Sequence, residues 1–378
     1  GTSVRMSAAQ LYDVVFEGNN KWMLSANGTI FTYEFEAIIP GLLKRWYAER
    51  KDLQAMKKKA IEANNDLEIA FWDKRQLVKK INLNSLYGAL LNPGSRFNDP
   101  RMGQSTTLTG RTIARHMGAK VNELFTGKYD HVGDAIIYGD TDSVYFSAYP
   151  VFKSQIESGE FAWDKDKVTE LYETVCEQAN ETFPDYMATA HNVQNREQGE
   201  IIAAAREVSA TSGIYITKKR YAILVYDNEG HREDKDDKPG KIKAMGLDLK
   251  RSDTPAFMQE FLNELLLKTL TGTSEEEIIE RIIEFRSEFR NMPAWLKGTP
   301  KRVNKLTHYY NSEYMIDPKT GDEIYKGKSN MPGHVRAAIN YNRMRRMNSD
   351  KYSMEIMDGM KTIVCKLKDN PMGFTSIG

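Results

Sequence analysis

A chain of 378 residues, 40% hydrophobic and 28% charged, has the composition of an ordinary globular protein with room for two or three cores. No stretch reaches the roughly 18 consecutive apolar residues of a membrane helix. The two cysteines, Cys176 and Cys365, and six scattered histidines exclude a disulfide scaffold or a Cys/His zinc site, so any metal must be held by carboxylates, which suits Mg²⁺.

In chain order, residues 21–37 read as short β pieces around an Asn27-Gly28 turn. Pro40 opens a long helical pattern, and Asn64-Asn65-Asp66 breaks it. A second helix is expected over Leu67–Leu91, ended by Asn92-Pro93-Gly94-Ser95. A third runs over Ser105–Phe125. The apolar strand Ala135–Tyr138 then meets Asp140-Thr141-Asp142, and Val144–Phe146 resumes the β pattern. A helix over Lys165–Asn180 follows, with strands near Glu200–Val208, Gly213–Thr217 and Arg220–Tyr226. Asp227–Gly230 is a turn, and residues 232–238 (REDKDDK) form a polar loop. From Thr254 the pattern is mainly helical, with Thr273 or Ser274 capping Glu275–Phe289.

Net charge is +1, which gives no general attraction to nucleic acid, but the charges are segregated. Basic residues collect in Lys44–Lys59, Lys74–Lys80, Lys218–Arg220 and Arg336–Arg346; acidic residues gather over Glu157–Asp185 and Glu275–Glu288. A basic groove with an acidic back fits that pattern, and so do plain solvated helix faces.

Three short segments carry chemistry. In Tyr138-Gly139-Asp140-Thr141-Asp142-Ser143, two carboxylates two residues apart sit at a tight turn between apolar strands. Like charges held that close call for a cation, and phosphoryl transfer uses two ions about 4 Å apart. A turn that merely favours Asp and Gly is the alternative for a bare DxD. In Lys80-Ile81-Asn82-Leu83-Asn84-Ser85-Leu86-Tyr87-Gly88, Lys80, Asn84 and Tyr87 recur at i, i+4 and i+7 and share one helix face. That face can serve a triphosphate, a sugar and a base pair, or it can be a solvated charge beside a core aromatic. Lys218-Lys219-Arg220-Tyr221 clusters cations beside a ring, which suits phosphate contacts without base reading.

In this order these segments resemble family B DNA polymerases, in particular those of T4-like bacteriophages. YGDTDS resembles the motif at the palm active site, KxxxNSxYG the fingers motif, and KKRY the element that holds the primer strand. Arg50 matches an Arg that the family keeps for the incoming triphosphate, but the family's Lys four residues on is Gln54 here. Arg206-Glu207 resembles a segment with a further acid near the metals. Met245-Gly246-Leu247-Asp248 and Ser252-Asp253-Thr254-Pro255 resemble the palm-to-thumb junction, and Asn370-Pro371-Met372-Gly373 a point inside the thumb.

The resemblance implies an α+β fold of right-hand architecture, with an antiparallel palm sheet, a helical fingers hairpin and a mainly helical thumb. The implied division is palm over 1–37, fingers over 38–92, palm over 93–246 and thumb, incomplete, over 247–378. Asp140 and Asp142 are the expected catalytic and metal-binding residues, with Glu207 as a further ligand of two Mg²⁺ ions. Arg50, Lys80, Asn84 and Tyr87 are the expected nucleotide-binding residues, and Lys218, Lys219, Arg220 and Tyr221 the DNA-binding ones. Primer-template DNA, dNTPs and a sliding clamp are the implied partners, with no membrane, in the cytoplasm of a phage-infected bacterium.

The family's earlier palm motif, DxxSLYP, whose Asp is the other principal metal ligand, does not occur. The expectation is therefore the C-terminal segment of a split or fragmented polymerase, completed by an N-terminal chain that carries the exonuclease domain and that aspartate. The alternative is a non-catalytic duplex-binding remnant.

Overall fold

The structure, a computed structural model, describes residues 5–32, 34–368 and 373–378. Of the expected Asn370–Gly373 thumb motif, all but Gly373 lies outside the described residues. The chain divides into two compact units, Gly1–Arg206 and Glu207–Gly378.

The first unit runs α1 (Ala8–Phe16), β1 (Trp22–Leu24), β2 (Ile30–Thr32), α2 (Ile38–Glu62), α3 (Asp66–Leu91), α4 (Pro100–Thr126), β3 (Ile136–Asp140), β4 (Ser143–Phe146), α5 (Tyr149–Glu157), α6 (Lys165–His191) and α7 (Arg196–Gly199). Helices α2 and α3 form the expected hairpin; the Asn65 side chain caps α3 by accepting from the Glu68 amide. Helix α4 starts at Pro100, five residues before the sequence expectation. Asp99 caps it by accepting from the Arg101 amide, and Pro100 occupies the first turn, where its missing N–H costs nothing.

Helix α6 continues past the expected end at Asn180 to His191, through Pro184. Burial outweighs the hydrogen bond that Pro184 removes, because Phe183, Pro184, Met187 and His191 are all buried. Together with Ala119 and Val121 of α4 and Val168, Val175 and Ala179 of α6 they form the unit's core. Two histidines belong to that core. His116 bonds Tyr129 Oη at 2.7 Å and Thr182 Oγ1 at 2.9 Å and stacks on Tyr186. His191 bonds the Leu24 carbonyl at 2.8 Å, and burial lowers the pKa of both imidazoles.

The second unit runs β5 (Val208–Thr217), β6 (Arg220–Asn228), β7 (His231–Arg232), β8 (Lys241–Met245), α8 (Ala256–Leu270), α9 (Glu275–Asn291), α10 (Ala294–Lys297), β9 (Thr299–Arg302), α11 (Leu306–Glu313), β10 (Tyr314–Ile316), β11 (Glu323–Tyr325), α12 (Gly333–Met347), β12 (Lys361–Lys366) and β13 (Ser376–Ile377). The expected strand over Glu200–Val208 is corrected: regular pairing begins at Val208, opposite Asn228. Strand β6 is the centre of its sheet, antiparallel to β5, β7 and β8 and buried from Tyr221 to Asp227. Ala222 and Leu224 pack there with Leu270 of α8. Ser274 is the residue that caps α9.

Among the described residues, the stretch after Thr254, expected to be mainly helical, also folds five short strands. Strand β12 pairs antiparallel with β9, some sixty residues earlier, through Lys361↔Arg302 to Val364↔Thr299. Pairing across that separation leaves no local periodicity to read. A second core lies here: Val303, Leu306, Tyr314, Met331, Val335, Ala338, Ile339 and Ile356. Helices beside strand pairings that are all antiparallel among the described residues make the fold α+β.

Candidate functional site

The acidic segment folds as a two-residue hairpin. Asp140 and Ser143 are the last facing pair of β3 and β4, above Gly139↔Val144 and Tyr138↔Tyr145. Thr141 and Asp142 make the turn, and Thr141 stands at φ +56°, a region a β-branched residue rarely adopts. Its hydroxyl donates to Asp140 Oδ1 at 3.1 Å, and the Ser143 hydroxyl donates to the Asp140 carbonyl at 3.1 Å. Asp140 is half-buried and Asp142 exposed. The Asp142 carboxylate has no hydrogen-bond partner among the described residues, so its oxygens remain available to a cation.

On α3, Lys80 and Asn84 are exposed and Tyr87 is half-buried, its hydroxyl donating to the Gly103 carbonyl of α4 at 3.4 Å. Tyr87 is thereby tied to the helix that leads to the hairpin. Arg50 of α2 reaches across to α3, where its Nε donates to Gln76 Oε1 at 3.3 Å. Gln76 is four residues before Lys80, so the guanidinium lies about 6 Å, one turn, along α3 from the Lys80 position. Lys57, three residues beyond Gln54 on α2, is paired with Asp73 at 2.6 Å. Lys79 pairs with Glu49, and both carboxyl pKa values are lowered, chiefly by the lysine hydrogen bonds.

The other expected residues belong to the second unit. Glu207 is exposed just before β5, where Lys243 Nζ donates to its Oε1 at 2.7 Å. Lys218 and Lys219 form the two-residue turn between β5 and β6, with Lys219 at φ +60°, and Arg220 opens β6; all three are exposed. Gly246 packs against this turn so closely that an added Cβ would stand 2.0 Å from the Lys219 carbonyl oxygen. Tyr221, expected to contact DNA, is only 2% exposed and stacks on Tyr215, with ring centroids 5.6 Å apart. It sits in the buried run of β6, so its ring anchors the basic turn and does not face a ligand.

The basic segment Arg336–Arg346 is also not an open patch. Arg336 pairs with Glu313, Arg343 and Arg346 with Glu323, and Arg345 with Glu355.

A sequence profile of DNA polymerase family B matches residues 6–174, the stretch that holds α2, α3 and the acidic hairpin. The DNA-directed DNA polymerase of Enterobacteria phage T4 is 30% identical over 312 residues, covering 79% of this chain and 32% of that protein. That of Escherichia phage RB69 is 29% identical over 306 residues, with the same coverage. The chain belongs to DNA polymerase family B. It spans about a third of the length of these curated relatives. A solved family B DNA polymerase from the archaeon Pyrobaculum calidifontis aligns over 94% of this chain and 36% of its own, at a TM-score of 0.47 and 17% identity.

For a family B chain the carboxylates decide whether a metal can be held. Among the described residues no three His, Cys, Asp or Glu side chains gather into a metal-binding group. Asp140 and Asp142 still fit Mg²⁺ as a partial set, since that ion is commonly held by one or two carboxylates, with water and substrate phosphates completing its shell. Gln76 and Asp73 are the neighbours that the sequence reading passes over. Gln76 had a signal, since it continues the i, i+4 stripe through Lys80 and Asn84; Asp73 had none.

Proposed function

We propose that this chain supplies the fingers, the carboxylate hairpin of the palm and the thumb of a DNA-directed DNA polymerase that adds dNTPs to a primer 3′ end. The carrying observation is the pair of carboxylates flanking the strained Thr141 turn, in the same unit as the Lys80–Asn84–Tyr87 stripe. In this reading residues 1–37 and 93–246 are palm, 38–92 fingers and 247–378 thumb.

Asp142 and Asp140 hold Mg²⁺. When bound there, two such ions supply the electrostatic stabilisation of an attacking 3′-oxygen and a leaving pyrophosphate. Arg50 and Lys80 receive the triphosphate, the first as a planar fork and the second as a point charge for phosphate oxygens. Asn84 and Tyr87 bound the nucleotide pocket, and Lys218, Lys219 and Arg220 grip the duplex backbone. A third principal carboxylate comes from a polymerase segment bearing the first palm aspartate, carried on an N-terminal polypeptide with the exonuclease domain. The work is done in a phage-infected bacterium, with a sliding clamp as a further partner.

Primer extension with Mg²⁺ and four dNTPs tests this, using the chain alone and then mixed with that segment. Extension is expected only in the mixture, and Asp142→Ala should abolish it. Because only two carboxylates meet at the hairpin, a non-catalytic duplex-binding module is the second reading. Intact duplex binding with no extension in the mixture would select it, and extension by the chain alone would remove the need for a second segment.

A further inference from the structure

The two fingers helices share a relay of side chains that holds Arg50. Arg50 Nε donates to Gln76 Oε1 at 3.3 Å, and Gln76 Nε2 donates to Asp73 Oδ1 at 3.2 Å. The same carboxylate oxygen accepts from Lys57 Nζ at 2.6 Å. A primary amide offers an acceptor on one side and donors on the other. The relay therefore has one possible direction: guanidinium to amide carbonyl, then amide N–H to carboxylate.

Its ends are two cations of α2, Arg50 and Lys57, seven residues and two turns apart on one face of that helix. Gln54 lies between them. The contact with Gln76 uses only the Nε edge of Arg50; its two terminal nitrogens have no hydrogen-bond partner among the described residues. They are the pair that presents a planar fork to phosphate. Had residue 76 been an acid, the guanidinium would be half neutralised by an ion pair within the hairpin. A neutral amide fixes its orientation and leaves its charge intact. Asp73 takes the opposing charge one turn away, where it is matched by Lys57.

We propose that Gln76 is a positioning residue for the incoming nucleotide's triphosphate, acting through Arg50, and that it must be an uncharged amide to do so. This rests on the fingers reading above. Its consequence is read in binding. Gln76→Glu converts the Arg50 contact into an ion pair but gives up the donation to Asp73 and sets two carboxylates side by side, so a purely structural role would show as a shifted melting temperature with dATP affinity untouched. A positioning role requires that the same substitution harm nucleotide binding, because the new carboxylate competes with phosphate for the guanidinium.

The experiment is equilibrium binding of dATP with Mg²⁺ to this chain, alongside thermal melts, for wild type, Gln76→Glu, Gln76→Ala and Arg50→Ala. Gln76→Glu should still melt cooperatively, its new ion pair set against the lost Asp73 contact, and bind dATP about tenfold more weakly. Gln76→Ala should lose about threefold to tenfold, as a charged group loses its orienting hydrogen bond. In the extension mixture the Gln76→Glu effect should fall on KM for dNTP, with kcat little changed. Wild-type dATP affinity in Gln76→Glu, with Arg50→Ala weakened, would overturn the positioning role and leave the fingers reading standing. A wild-type chain that takes up no dATP, or an Arg50→Ala variant that takes up as much as wild type, would overturn the fingers reading and the proposal with it.

Discussion

Thr141 carries its strain at the point where the two hairpin carboxylates meet. At φ +56° a β-branched residue costs about 1–2 kcal/mol relative to its ordinary conformations. Glycine would adopt that conformation freely while giving back about 0.5–1 kcal/mol through the greater freedom of its unfolded chain. Thr141→Gly should therefore stabilise the protein slightly, by about 0.5–1 kcal/mol, read from a urea midpoint at unchanged slope. It also removes the hydroxyl that donates to Asp140 Oδ1. Extension in the two-segment mixture should fall although stability rises, because the Asp140 carboxylate loses its orienting contact. A rise in both would mean that the turn is merely strained. Gly246 shows the reverse logic: its left-handed φ of +66° and its approach to the Lys219 carbonyl leave no room for a side chain, so the basic turn's shape depends on a residue with no chemistry of its own.

Between elements, a buried ion pair joins the end of α11 to α12. Glu313 is fully buried; it accepts from Arg336 Nη1 at 2.6 Å and Nη2 at 2.7 Å, and from the Ser329 amide and hydroxyl. Arg336 and these hydrogen bonds hold its carboxyl down at about 2, from an ordinary 4.5. A carboxyl whose folded pKa is depressed contributes stability that is present above its unfolded pKa. That contribution is lost as pH falls from about 4.5 towards about 2. Arg336→Leu should cost about 3–5 kcal/mol at neutral pH, since it strands a buried charge, whereas Glu313→Met with Arg336→Leu should cost much less. Denaturant midpoints at pH 7, 4 and 3 check this: wild type should lose stability over the acid range more steeply than the double variant. The pairing of Glu313 with Ser329 and Arg336, sixteen and twenty-three residues away, had no signal in the sequence, where Arg336 read only as part of a basic segment. The readable elements were those set by local pattern: the α2–α3 hairpin with its Asn64–Asp66 break, the β3–β4 hairpin around YGDTDS, and the β5–β6 turn at Lys218-Lys219. What escaped depended on burial or on distant partners. Helix α6 runs through Pro184 because its far side packs, β9 and β12 find each other across sixty residues, and Tyr221 turns inward because β6 is buried on both faces.

For the molecule as a whole, a net charge of +1 means that affinity for a duplex must come from particular cations rather than from a general field. The basic segments are not equivalent in this respect. Those of α12 are taken up by Glu313, Glu323 and Glu355, and Lys57 of α2 and Lys79 of α3 by Asp73 and Glu49. The turn at Lys218, Lys219 and Arg220 is exposed and presents three cations within three residues. In the proposed clamp each contact with phosphate releases counterion, so log K for duplex binding should fall with log salt by about 0.9 per contact. Replacing all three by Ala should weaken binding equally for unrelated duplex sequences and flatten that slope by about 2–3, because phosphate contacts carry no base information. Arg343→Ala should lower stability through loss of the Glu323 pair and leave the slope where it was. Asp142→Ala should change neither. Fluorescence anisotropy of a labelled duplex, titrated at four salt concentrations, separates these cases. An unchanged slope in the triple variant would move the clamp away from the β5–β6 turn, and a slope flattened by Arg343→Ala would show that α12 gives up its internal ion pairs to reach DNA.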